Sequence, residues 1–287
     1  MLISVGEILD RSWHHYTNRF VELMSIAAWL LLAALINVFA TWLYPTASYG
    51  IVAGLNYKEI FGVVLYAINF LVITPIVSIW VFNATVHLID REISNQPIRL
   101  REISRDAWKV FFPRIWIGIL GGLCVATPVL LVVPGFILSS VSKKGALHFL
   151  SIPATILFLL GLAGALIIGV KIAIRLFFSA YELILENKRG RLALRTSSKL
   201  VMNRWFPTLW RVILPKVVFF FGAFTIQMFL IFLLKSFSTN LAGLNFELGV
   251  RIYTIGSTTI FLVLAALLNP LVLTADYLLF RSLQSER

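Results

Sequence analysis

The sequence predicts an all-α, polytopic membrane protein: six transmembrane helices, built as three repeats of an amphipathic cytoplasmic helix followed by a transmembrane hairpin. Three observations carry this reading. Of the 287 residues, 59 % are apolar and 13 % charged, where a soluble domain carries about 25 % charged residues. Six apolar stretches, at about 21–43, 60–89, 115–139, 150–185, 212–234 and 253–280, are each long enough to cross a hydrocarbon core near 30 Å thick. A short polar-aromatic stretch before the first of them recurs before the third. In hydrocarbon every backbone amide must be bonded within the chain, so such runs are helices, and the alternating segments of a membrane barrel are missing from the sequence. The whole of residues 1–287 reads as a single membrane domain, with repeat units of about 1–90, 91–185 and 186–287.

The first element is the stretch ahead of the first span. Leu2, Val5, Leu9, Trp13, Tyr16 and Phe20 recur at steps of three or four and so line one face of a helix. Ninety-five residues on, Glu7-Ile8 is matched by Glu102-Ile103, Ser12-Trp13 by Ala107-Trp108, Tyr16 by Phe111 and Arg19 by Arg114. A weaker third copy lies 91 residues further, pairing Leu194 with Ile103 and Met202 with Phe111. Trp13, Tyr16, Trp108 and Phe111 are the expected interfacial anchors, because an amphipathic ring suits the half-wet headgroup boundary. The same pattern also serves a helix packed beneath the bundle. Val38-Phe39-Ala40 is a poor cleavage site, so the first span is expected to stay as an anchor.

Orientation follows from Lys and Arg in the short connections. The segments 1–20, 90–114, 186–211 and 281–287 hold 17 of the 25 basic residues, against five (Lys58, Lys143, Lys144, Lys235, Arg251) in the alternate connections. Both termini are therefore expected in the cytoplasm. The net charge of +12 is accounted for by this asymmetry and by attraction to anionic lipid, with no nucleic-acid partner needed.

Ionisable groups at membrane depth are costly and are therefore functional candidates. Lys171, Arg175 and Lys216 face a balance of Glu22, Glu182 and Asp276. Counting inward from the outer ends of the fourth and sixth spans puts Arg175 and Asp276 at one depth. Asn83 and His87 end the second span on the same side, giving an inner polar rim suited to the phosphate of an anionic lipid. Snorkelling of the long cations toward headgroups explains the same residues. Pro75, Pro128, Pro134 and Pro270 interrupt the second, third and sixth spans and free backbone carbonyls. Gly118, Gly121, Gly122, Gly161 and Gly164 allow close helix approach. Deeper in the spans only Asn37, Asn69 and Gln227 stand out as amides, which counts against a solute path.

Catalytic and metal chemistry lacks a signature. His14, His15, His87 and His148 keep no ligand spacing, a single cysteine (Cys124) excludes a disulfide framework or thiolate cluster, and neither a nucleophile elbow nor a phosphate loop is present. An intramembrane enzyme using Asp276 or Glu182 would lack a second acid or base at a diagnostic spacing. No metal or other cofactor is expected.

The segment Ile174-Arg175-Leu176 through Leu185-Glu186, then Gly190-Arg191-Leu192-Ala193-Leu194-Arg195-Thr196-Ser197 and Val201-Met202-Asn203-Arg204-Trp205-Phe206, resembles a pattern in bacterial six-span proteins. That group includes the membrane domain of some glycerophosphoryl diester phosphodiesterases and related membrane families. About 45 residues carry the motif, with Asn203 where the group commonly has glycine, and the six-span layout extends it over the chain. Arg175, Glu186 and Ser197 are the motif positions. In that group phosphodiesterase activity belongs to a separate soluble domain, so the resemblance implies no catalysis here and points to a bacterial inner membrane. The expectation is a non-enzymatic integral membrane protein, a lipid-engaging scaffold or the membrane partner of another protein at its cytoplasmic face. The alternative is a transporter or permease for a small or amphiphilic solute.

Overall fold

The computed structural model describes residues 3–43, 57–142, 150–243 and 245–286, and among these the chain is almost wholly helical, without a strand. Lys143, Lys144 and His148, and Leu2 of the amphipathic stripe, lie outside the described residues. In order the elements are α1 (Val5–Asn18), α2 (Phe20–Ala27), α3 (Trp29–Leu43), α4 (Tyr57–Ile68), a π-turn (Asn69–Ile73) and α5 (Thr74–Ile93). They continue with α6 (Leu100–Lys109), α7 (Phe111–Ala126), a 3₁₀ stretch (Thr127–Val132), α8 (Val133–Ser142), α9 (Ser151–Leu176) and α10 (Ser179–Glu186). Last come α11 (Arg191–Val201), α12 (Trp205–Ala242) and α13 (Phe246–Ser285).

Five helical runs are long and apolar enough to cross a membrane: Tyr57–Ile93, Phe111–Ser142, Ser151–Glu186, Trp205–Ala242 and Phe246–Ser285. The pair α2 and α3, bent by 41°, makes a sixth if counted as one span. Among the described residues the chain is thus almost wholly helical, with five or six helices of the length and apolarity that a multi-pass membrane protein requires. Pro75 and Pro128 sit just inside breaks of regular α-helix, the π-turn and the 3₁₀ stretch, as a residue without an N–H requires. Pro215 and Pro270 are carried inside α12 and α13.

Two compact units divide the chain, Met1–Phe111 with Arg211–Ser282, and Phe112–Trp210 with Leu283–Arg287. In the first, the core gathers Ile8, Leu23, Ala27, Val81, Ala84, Leu88, Ile89, Tyr277 and Phe280, all under 2 % exposed. Ser4 caps α1 by accepting the Glu7 N–H at 3.2 Å. The buried stripe of α1 is Ile8 and Ser12, one turn apart, and that of α6 is Ile103 and Ala107, while Trp13 and Trp108 remain 56 % and 49 % exposed. The face that docks each short helix is therefore displaced from the Leu-Trp-Tyr stripe, which is left on the outside. Asn83 of α5 donates to the Ala107 carbonyl at 3.2 Å, near the C-terminus of α6, and Arg91 binds Glu102 and Asp106 at 2.9 and 3.2 Å. These contacts hold α6 against α5 at two levels. At the end of α13, Tyr277 donates to Asp90 at 2.7 Å and Arg281 pairs with the same carboxylate.

In the second unit, α9 packs against α8 and the 3₁₀ stretch so closely that backbone meets backbone. A Cβ on Gly161 would lie 2.4 Å from the Leu131 carbonyl oxygen, and one on Gly135 would lie 2.4 Å from the backbone of Phe158. Of the glycines singled out in the sequence, Gly161 alone is indispensable in this way: Gly164 meets only a side chain at ordinary contact distance, and Gly118 and Gly122 face open space. Ser197 of α11 donates to the Arg175 carbonyl at 2.7 Å, tying α11 to the end of α9. The turn between α10 and α11 needs two left-handed positions, Asn187 at φ 52° and Gly190 at φ 55°, and only glycine adopts the latter with its ψ of −129° without strain.

Thermal unfolding in mild detergent checks this packing. Gly161→Leu is expected to destabilise by about 1–3 kcal/mol, the usual result of overpacking a filled contact, whereas Gly118→Ala is neutral or slightly stabilising because helix propensity favours alanine.

Candidate functional site

Of the residues expected to form an inner rim, Asn83, His87, Lys216 and Asp276 belong to the first compact unit and Lys171, Arg175 and Glu182 to the second. Asp276 of α13, expected at the depth of Arg175, has Lys216 of α12 as its partner, with Nζ 3.0 Å from Oδ1 and side chains 21 % and 7 % exposed. Removing two charges from water this far is tolerable only as a pair, because either one alone would be an uncompensated ion in low dielectric. Asn83 and His87 lie in the same unit. Asn83 spends its amide donor on Ala107, and its Oδ1 and the His87 Nε2 are buried with no hydrogen-bond partner.

The second set is Lys171, Arg175 and Glu182. Lys171 lies over the Trp205 ring, 5.8 Å from its centroid, a cation–π contact. Arg175 gives its backbone carbonyl to Ser197, while its Nε is buried without a hydrogen-bond partner. Glu182 is wholly buried, and its Oε2 accepts from Lys188 at 2.7 Å. Of the motif positions, Ser197 thus fastens helices, and Glu186 accepts from Gln284 at 2.6 Å. Of the expected anchors, Trp13 and Trp108 are outward-facing, Tyr16 is half-buried, and Phe111 is 5 % exposed and packs into the fold.

A cleft of about 310 Å³ on α11 is lined by Lys188, Leu192, Arg195, Thr196 and Lys199. Lys188 is steadied by Glu182, whereas Arg195 and Lys199 project outward from successive turns. The Thr196 hydroxyl donates to the Leu192 carbonyl at 2.7 Å, so the three cations form the surface able to take phosphate oxygens, planar donors from arginine and point charges from the lysines. The sequence reading left these residues among the topology charges. The signal was there in Leu192, Arg195, Thr196 and Lys199, whose steps of three, one and three mark one helix face.

Off the spans, the Arg91 cluster sets the electrostatics of α6. Hydrogen bonds from Arg91, then Arg99, hold the Glu102 carboxyl below its ordinary value. For Asp106, burial pushes upward, but the hydrogen bond and charge of Lys109 outweigh it and the group also lies low. Comparison with protein-family models, curated proteins and solved structures finds no match for this chain.

Both carboxyls are depressed in the folded state, so their stabilisation is complete above the unfolded carboxylate range, near pH 4. It is lost as pH falls through the lower folded values. The difference in melting temperature between the wild type and Glu102→Gln/Asp106→Asn is therefore expected to be present at pH 7 and to shrink progressively as pH falls below the unfolded carboxylate range.

Proposed function

We propose that this is a non-enzymatic multi-pass protein of a bacterial inner membrane whose three short amphipathic helices lie at the cytoplasmic face and engage anionic lipid, as a scaffold or as the membrane partner of another protein. The observation that carries the reading is the outward stripe of these helices. Trp13 and Trp108 occupy matching places in the 95-residue repeat and are both about half exposed, while Ile8 with Ile103 and Ser12 with Ala107 are buried at matching places. An indole left outside a well-docked helix belongs at a headgroup boundary, where its ring is half apolar and its N–H wet. In the second unit the cleft of Lys188, Arg195 and Lys199 supplies charge for a phosphate. The threefold repeat fits this reading, because α1, α6 and α11 each precede a pair of spans in the chain. The resemblance of the Arg175 to Phe206 segment to the membrane domain of glycerophosphoryl diester phosphodiesterases agrees with a lipid-facing role without catalysis.

Native mass spectrometry of protein released from mild detergent tests this. Wild type is expected to retain an anionic phospholipid at near-stoichiometric level, and Lys188→Gln/Arg195→Gln/Lys199→Gln to lose it roughly tenfold or more, as the removal of charge-assisted hydrogen bonds requires. Trp13→Ala with Trp108→Ala is expected to weaken retention of lipid in general. Equal retention in all three proteins would remove the support for the reading.

A second reading, a permease for a small or amphiphilic solute, is favoured by one specific feature. Three amides of the spans, Asn37, Asn69 and Asn269, are gathered at a cavity between α3, α4, the π-turn, α5 and α13.

A further inference from the structure

That cavity, of about 490 Å³, lies wholly within the first unit. Its volume is in the range of small-molecule sites and equals about sixteen waters at about 30 Å³ each. Its polar lining comes from three directions: Asn37 of α3; Asn69, Thr74 and Ser78 along the π-turn and α5; Thr258 and Asn269 of α13. Among the described residues no Asp, Glu, Lys, Arg or His contributes to it. Tyr66 and Phe70, parallel to within 1° with centroids 6.3 Å apart, form an aromatic wall, and Phe261 adds another face.

Three independent features converge on this space. First, Asn69 is 3 % exposed and its Nδ2 donates to the Ala33 carbonyl at 3.1 Å, which fixes the amide, yet its Oδ1 has no hydrogen-bond partner. A fixed, buried, unsatisfied acceptor in apolar surroundings is costly and calls for a donor from outside the chain. Secondly, the helix departs from α geometry at this same residue: the π-turn Asn69–Ile73 opens there, with the Thr74 N–H reaching back to the Asn69 carbonyl. Such turns are rare and recur at functional sites. Thirdly, Pro270 follows Asn269 inside α13, so the carbonyl of Ala266, another lining residue, loses its helical donor. Ala33 and Ala34 on the facing helix are small and buried, and so leave the space unfilled.

We propose that this cavity binds an uncharged, hydroxyl- and carbonyl-bearing group, whose hydroxyl donates to Asn69 Oδ1. A lining that, among the described residues, lacks any side chain charged at neutral pH argues against a phosphate or ammonium, since a bare ion there would be unpaired. The three carboxamides supply both donors and acceptors, as a polyol or ester headgroup requires. Two sources present this chemistry: the glycerol-ester end of a neutral lipid such as diacylglycerol, and a free polyol. The site is separate from the cationic cleft on α11, so either assignment stands without the other.

The test is binding of 1,2-dioctanoylglycerol to the full chain in detergent, followed by native mass spectrometry, with glycerol titrated in parallel by isothermal calorimetry. Saturable binding of the first probe at one equivalent, reduced about tenfold by Asn69→Leu and by Asn269→Leu but not by Gln227→Leu, establishes the site as a lipid headgroup site. Gln227 is an amide of the spans outside the cavity, so its variant controls for loss of polarity alone. Saturable glycerol binding with the same variant pattern assigns the free polyol instead. Asn69→Leu is expected to melt no lower than wild type, because it also removes the orphaned oxygen. Should it fail to fold, Asn269→Leu and Thr258→Val carry the comparison. Absence of binding by either probe, or binding that these variants leave unchanged, overturns the proposal.

Discussion

Everything in this molecule follows from one constraint: in hydrocarbon no water is available to bond an exposed peptide group. Long uninterrupted helices satisfy it within each run, which is why α12 and α13 extend for 38 and 40 residues. The exceptions are few and local. Where helix geometry breaks, at the π-turn before Pro75 and the 3₁₀ stretch beginning at Thr127-Pro128, a proline has removed a donor nearby. The first break opens beside a polar cavity, and the second lies where α9 comes within backbone contact of it through Gly161.

The same constraint sorts the ionisable side chains. Two buried carboxylates are paired with lysines, Asp276 with Lys216 and Glu182 with Lys188. Those on the short helices form networks open to water, such as Arg91 with Glu102 and Asp106. Asp90 collects both Tyr277 and Arg281, fastening the end of α13 to the end of α5. The short helices then present two faces at once, an inner one of Ile8 and Ser12 or Ile103 and Ala107, and an outer one carrying tryptophan. Inner docking is what leaves Trp13 and Trp108 exposed.

Element type and order were legible in the sequence because they depend on local periodicity and on run length. The apolar runs are the long helices, and the polar-aromatic stretches before the first and third of them are α1 and α6. Which stripe of α1 would be buried was not legible. Ile8 and Ser12 lie one residue off the Leu-Trp-Tyr stripe, and hydrophobicity alone cannot tell a face that meets protein from a face that meets lipid. Partners across long sequence separations were equally hidden, as in the choice of Lys216 by Asp276. The gathering of Asn37, Asn69 and Asn269 shows the limit most clearly: three amides on three separate helices look sparse in sequence, and only packing makes them one site. Gly161 could be named as a small residue, but its necessity depends on the Leu131 carbonyl, some thirty residues away.

The central claim is that the chain crosses the bilayer an even number of times, with α2 and the bent α3 counting as one span and the basic connections on one side. Single cysteines at Ser4 and Ser285, each in a Cys124→Ser background, probed with a membrane-impermeant maleimide in sealed right-side-out and inverted vesicles, test it directly. The account predicts that both positions react only in inverted vesicles. Reaction of the two from opposite sides would mean an odd number of crossings and would contradict the six-span arrangement.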